Sequence, residues 1–275
     1  PTTNPTSTAM YKAIIAIKSR NTIVFSPHPR AVKCTTDAAR IVAEAAVEAG
    51  APEGIEQVLQ TVHMAATNEL MRHPKVSMIL ATGGSAMVKA AYQSGTPALG
   101  VGPGNVPVFV ERTADIPKAV SCIIAGKTFD NGTICASEQA VIADEPIADQ
   151  VMAELQYQGG YFLSPEEIDK VSAVVIRPNG AVNPAVVGQP ATRVAEMAGI
   201  QVPADTKVLV APLDGVGPQY PLSREKLSPV LAFYTAPDWR AACERCIELI
   251  EFGGVGHSMG IHSRDEKVIM AFAME

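Results

Sequence analysis

Cys135 sits at the centre of the run Lys127-Thr-Phe-Asp-Asn-Gly-Thr-Ile-Cys-Ala-Ser-Glu-Gln139, and an ionised cysteine is a strong nucleophile that can carry an acyl group. A helix-like apolar segment (116–124) precedes it and a strand-like segment (139–143) follows, with Asn131-Gly132 supplying the turn between them. That order predicts a tight junction able to present one side chain to a cleft. Lone cysteines most often pack as small hydrophobes. What sets this one apart is its company, since Gly132, Ala136 and Ser137 leave room for a substrate to approach the backbone.

Four further groups could do chemistry. The strand-like segment 76–81 runs into Thr82-Gly83-Gly84, and a helix begins at Ser85. Backbone N–H groups at such a helix start suit an anionic phosphate, although a plain strand-to-helix turn also needs glycine. Neither this turn nor Gly100-Val-Gly-Pro-Gly104 is a G-x-G-x-x-G fingerprint, because Asn105 stands where the third glycine should fall. Asn4 is an amide donor flanked by Pro1 and Pro5, suited either to an oxyanion or to ordinary turn chemistry. In Arg224-Glu-Lys-Leu-Ser-Pro-Val230, Glu225 could accept from a diol or lie solvated at the surface. His257, in Phe252-Gly-Gly-Val-Gly-His-Ser258, could face the site or cap local structure. Cys243 and Cys246 form a C-x-x-C inside a helical pattern with no second pair, so no metal set is expected.

The elements that must position these groups alternate. Helices are expected at 8–19, 36–49 (capped by Thr35 or Thr36 and stopped by Gly50), 85–94, 116–128, 147–158, 165–175, 191–198 and 239–252. Strands are expected at 22–25, 76–81, 98–101, 106–110, 139–143, 207–211, 229–234 and 256–262. Short apolar strands separated by helices predict an α/β fold of parallel βαβ units, with a domain break near Asn131. The chain has 275 residues, 47% of them hydrophobic and 18% charged, and a net charge of -6. Those values describe a globular protein and argue against nucleic acid as the main partner. No apolar run approaches the ~20 residues of a membrane span. Five cysteines in no paired pattern suit reduced thiols in the cytoplasm.

The run FDNGTICASEQA, the opening Pro1-Thr-Thr-Asn-Pro-Thr-Ser-Thr8 and Ser26-Pro-His-Pro-Arg-Ala31 resemble three ordered motifs of the CoA-acylating aldehyde dehydrogenases. That branch includes the aldehyde half of bifunctional aldehyde/alcohol dehydrogenases. The resemblance implies an aldehyde-dehydrogenase-like architecture, with an NAD-binding domain over 1–130 and a catalytic domain over 131–275 whose end returns toward the cofactor domain. It makes Cys135 the nucleophile and Asn4, with the Cys135 N–H, the oxyanion donor. Ser26, His28, Pro29 and Arg30 would lie by the adenosine ribose, Thr82, Gly83 and Gly84 by the pyrophosphate, and Glu225 on the nicotinamide ribose. Gly100 falls where hydrolytic members keep a glutamate that activates water, so the thioester should wait for a thiol. The implied reaction converts a small aldehyde, CoA and NAD (or NADP) to acyl-CoA and NADH, reversibly. A homodimer or higher oligomer, in the cytoplasm or a bacterial microcompartment, is implied as well. The resemblance further implies an internal fragment that lacks roughly a hundred residues before Pro1 and a segment after Glu275. A hydrolytic aldehyde dehydrogenase, a glutamyl-phosphate-reductase-like enzyme and an inactive nucleotide-binding or assembly module are the alternatives.

Overall fold

A computed structural model describes residues 3–275, and the chain divides into two compact units, 1–102 and 103–275. The division falls at Gly102/Pro103 rather than near Asn131. The reason is that the strand Val106–Val110 and the helix Ile116–Thr128 are built into the second unit's sheet and core. Strand pairing, not the position of Cys135, sets the boundary.

The first unit contains α1 (Pro5–Lys18), β1 (Ile23–Phe25), α2 (Val32–Glu48), β2 (Glu56–Val58), α3 (Met64–Arg72), β3 (Ile79–Thr82), α4 (Ser85–Tyr92) and β4 (Ala98–Val101). Strands β1 and β2 pair in parallel, as do β3 and β4. Alanines let the helices approach closely. Ala9 and Ala13 of α1 meet Ala38 and Ala39 of α2 over Phe25, while Ala91 of α4 packs with Ala81 of β3 and Met71 of α3. Helix α2 starts earlier than its threonines suggested, because a 3-10 turn at Pro29–Ala31 feeds straight into it and Ala31 is the N-cap residue. Thr35 lies buried inside the helix and the Thr36 hydroxyl is buried without a partner, so neither caps it. Gly50 does follow the end of α2, at φ +99°.

The second unit is a six-stranded, all-parallel sheet in the order β10-β5-β6-β9-β8-β7. Its elements are β5 (Val106–Val110), α5 (Ile116–Thr128), β6 (Glu138–Asp144), α6 (Ala148–Tyr157), β7 (Gly160–Phe162), α7 (Pro165–Val175), α8 (Ala191–Met197), β8 (Val208–Pro212), β9 (Val230–Ala236), α9 (Trp239–Gly253), β10 (Gly260–His262) and α10 (Glu266–Met274). Alternate residues of each strand bury on opposite faces. Val108, Val110, Val141, Ala143, Leu231 and Phe233 pack with α5 and α6, whereas Phe109, Ala140, Ile142, Ala232 and Tyr234 pack with α9 and α10. Cys243 and Cys246 belong to that second core layer. Side-chain caps at Asp115, Ser164, Asp238 and Asp265 satisfy the orphan N–H groups of α5, α7, α9 and α10.

Candidate active site

The Cys135 loop is built from the end of α5. After Thr128 the chain turns through Asp130 and Asn131, both left-handed at φ 48° and 51°, and then Gly132 at φ +73°. Three consecutive residues with positive φ reverse the chain within one turn, at a cost in backbone energy that the surroundings must offset. Those surroundings are specific. The Thr133 hydroxyl donates to the Asp130 carbonyl at 3.0 Å, the Asn131 amide donates to the Gly188 carbonyl at 3.0 Å, and the Ser137 N–H closes a turn onto Ile134 at 2.9 Å. Cys135 sits half-buried between this turn and the first residue of β6.

Three groups of the second unit converge on Cys135. Gly104 is buried against the Cys135 carbonyl, so closely that a Cβ at Gly104 would collide with that oxygen and press the His257 ring. The same glycine donates its N–H to the Glu225 carboxylate at 3.2 Å. Gly104, His257 and Glu225 therefore surround the Cys135 loop, although they lie 31 to 122 residues from Cys135 in sequence. Asn105, next in the chain, donates to the Ser223 and Leu249 carbonyls at 2.8 and 2.7 Å. That fixes the Gly104 backbone.

The electrostatics are those of a site taken out of water. Burial pushes the Cys135 thiol up, and the Glu225 carboxylate pushes it further, while the N–H groups of Cys135 and Ala136 oppose the shift. Burial raises Glu225 to about 6 against the Gly104 N–H, Lys127 and Lys226. Behind the loop, Lys127 is fully buried and lowered by that burial to about 7, with Glu138 and Glu225 pulling the other way. Glu138 is raised by burial, and its Oε2 is buried without a partner. Burial lowers the His257 imidazole, whose Nδ1 accepts from the Ser258 N–H. Among the described residues no group of three or more His, Cys, Asp or Glu is arranged to hold a metal.

The remaining expected site residues lie in the first unit. Asn4 is the N-cap residue of α1, but its side chain makes no cap; it accepts from the Thr3 hydroxyl at 3.1 Å, and its amide is free of partners among the described residues. Ser26 follows β1 and shares a 2.8 Å hydrogen bond with Thr67. His28 accepts from the Arg30 N–H at 3.1 Å as the 3-10 turn at Pro29 begins, and partial burial and the Arg30 charge lower its pKa. Thr82 ends β3, and Gly84 is the N-cap residue of α4 with open space where a Cβ would be. That exposed, uncapped helix start fits a pyrophosphate. Gly100, in β4, would drive a side chain into Val88 and the Tyr92 ring, so it is also a packing glycine.

Sequence reasoning missed Lys12, Gly104, Lys127, Gln139 and Lys226 as participants. Lys12 is buried in α1, donates to the Leu80 carbonyl at 2.7 Å and the Thr82 hydroxyl at 3.1 Å, and is lowered by burial to about 8. A signal was present for Lys127, which ends an apolar helical stretch, whereas Lys226 follows Arg224 and Glu225 and only packing shows that it is buried.

An all-parallel α/β sheet with a cysteine held at a helix-to-strand junction is the arrangement to be classified. The chain belongs to the aldehyde dehydrogenase family, whose family model matches residues 3–159. Among curated proteins it is 48% identical to the bifunctional aldehyde-alcohol dehydrogenase AdhE of Escherichia coli K12, over 96% of this chain and 29% of that protein. Among solved structures it matches an acetylating aldehyde dehydrogenase from Geobacillus thermoglucosidasius with a TM-score of 0.94 and 56% identity, over 99% of this chain and 60% of that one. A propionaldehyde dehydrogenase from Rhodopseudomonas palustris, solved with bound CoA and an acylated cysteine, matches with a TM-score of 0.88 and 32% identity, over 99% of this chain and 61% of that one. The chain thus spans under a third of the bifunctional relative and about three fifths of the solved ones.

Proposed function

We propose that this chain carries the nucleophile of a CoA-acylating aldehyde dehydrogenase, with Cys135 forming a thioester that coenzyme A resolves. The observation that carries the reading is the Cys135 junction, a half-buried thiol on a left-handed turn with Gly104, His257 and Glu225 around it. The acylating relatives support the choice of acceptor.

The Cys135 sulfur, as thiolate, attacks the aldehyde carbon. The developing oxyanion takes a hydrogen bond from the Cys135 N–H, which has no carbonyl partner among the described residues, and on the family pattern a second from the Asn4 amide. When bound, NAD (or NADP) would supply the hydride acceptor that takes the Cys135 adduct to a thioester. On the same pattern, residues of the first unit (Ser26, His28, Pro29, Arg30 and the Thr82-Gly83-Gly84 turn) hold the adenosine and pyrophosphate, and Glu225 holds the nicotinamide ribose. The CoA sulfur then attacks the thioester carbon, the bond to Cys135 breaks, and Cys135 leaves as thiolate. Gly100 offers no carboxylate to activate water, which favours the thiol as acceptor. His257 is a further candidate beside the loop. We place the protein in a reducing compartment, the cytoplasm or a microcompartment within it, in keeping with five free cysteines. It assembles as a homodimer or higher oligomer. No helix among the described residues is long and apolar enough to cross a membrane.

NADH formation from acetaldehyde and NAD, with and without CoA, tests the reading, both in this chain and in one extended to the length of its acylating relatives. We expect strictly CoA-dependent NADH that is lost in Cys135→Ala. Steady turnover without CoA would overturn the acylating mechanism in favour of hydrolysis.

A further inference from the structure

The loop that carries Glu225 combines an unfavourable backbone conformation at Leu227 with a buried lysine, Lys226. Lys226 is fully buried, and its Nζ donates to three carbonyl oxygens: Gln139 at 2.9 Å, Leu222 at 2.8 Å and Arg224 at 2.8 Å. Three acceptors match the three N–H groups of an ammonium. Gln139, also fully buried, closes the clasp from the other side, because its Oε1 accepts from the Lys226 N–H at 3.1 Å and from Lys127 Nζ at 3.1 Å. Its Nε2 donates to the Ser137 carbonyl at 3.1 Å, two residues after Cys135. Leu227, next in the chain, sits at φ 48°. A leucine in that region is strained and stays there only when its neighbours over-determine it.

We propose that Lys226, clasped by Gln139, is a positioning residue that fixes the Glu225 carboxylate on the Gly104 N–H and so sets its place beside the Cys135 thiol. The proposal rests on Cys135 being the nucleophile. The ionisable groups involved are few. Cys135 feels Glu225 directly, Glu225 feels Lys127 from α5 and Lys226 from its own loop, Lys127 feels Glu138, and the His257 ring packs on Gly104. The Lys226 ammonium is directed to three carbonyl oxygens, of Gln139, Leu222 and Arg224, so its effect on the thiol is expected to run through the placement of Glu225.

The test is the pH dependence of Cys135 alkylation by iodoacetamide, which needs neither NAD nor CoA, with Cys135→Ala subtracted as background from the other thiols. Glu225→Gln removes a neighbouring negative charge and should move the alkylation midpoint down by about half a pH unit, about threefold in rate at neutral pH. Lys226→Met should lower the midpoint in the same direction while Glu225 is present and leave it unmoved in the Glu225→Gln background. Lys226→Arg should restore it in part. Because Lys226→Met risks misfolding, Gln139→Met is run beside it; that change removes the Oε1 acceptor but keeps the backbone carbonyl, and should give a smaller shift of the same sign. An equal shift with and without Glu225, or none in either lysine or glutamine variant, would overturn the proposal. A chain in which Cys135 alkylates as expected but makes no CoA-dependent NADH would instead count against the functional reading alone.

Discussion

At the scale of single residues, Glu225 shows what burial costs a carboxylate. Burial raises its carboxyl from an ordinary 4.5 to about 6, so between those values the folded chain binds more protons than the unfolded one. The stability this group supports is therefore full below about 4.5 and lost as pH rises through about 6. Glu225→Gln is expected to stabilise the chain by about 1 kcal/mol at pH 7.5 and to give no gain at pH 4; urea denaturation at the two pH values measures the difference. The sequence singled this residue out as a candidate through the segment ending in Pro229-Val230. Its partner was not singled out. Gly104 lies 121 residues away, and nothing in its own neighbourhood says that its N–H will find a carboxylate. Gly100 taught the converse lesson: an absent carboxylate there has a packing reason of its own in Val88 and Tyr92, beside any chemical one.

At the scale of elements, periodicity identified strands β4 and β5 and helices α5 and α7 to the residue, and most other elements within a few positions. It failed where the segment was short or polar. Strand β2 is only Glu56-Gln-Val58, and β7 is Gly160-Tyr-Phe162, each made a strand by the neighbour it pairs with and not by propensity. Helices α3 and α10, nine residues each, were also missed. The loop between α5 and β6 was readable from Asn131-Gly132, yet the structure adds Asp130 to the left-handed run. Gly132→Ala tests how much depends on that turn. At φ +73° and with its new Cβ 2.9 Å from the Ser228 carbonyl, the variant should lose about 1–3 kcal/mol, seen as a lower urea midpoint, together with most of the Cys135 alkylation rate under native conditions.

At the scale of the whole molecule, the two units differ in how their sheets are closed. In the second, β6 and β9 are interior strands with helices on both faces, whereas the first unit holds two separate two-stranded pairs. Two-stranded pairs contribute few shared contacts and open more easily. Hydrogen exchange should therefore be slowest at the amides of β6 and β9, faster at the edge strands β7 and β10, and fastest among strands in β1, β2, β3 and β4; equal protection across all of them would contradict this ordering. The sequence by itself determined the α/β alternation, the parallel pairing that alternation requires, and the family, through local runs around Cys135, Asn4 and Ser26. Tertiary structure alone decided the division at Gly102/Pro103, the burial of Lys127 and Lys226, and the meeting of Gly104, Glu225 and His257 at the cysteine. The physical reason is that periodicity, turn residues and motifs are properties of a few consecutive residues. Burial and the pKa shifts that follow from it depend on which distant segments the sheet order brings together.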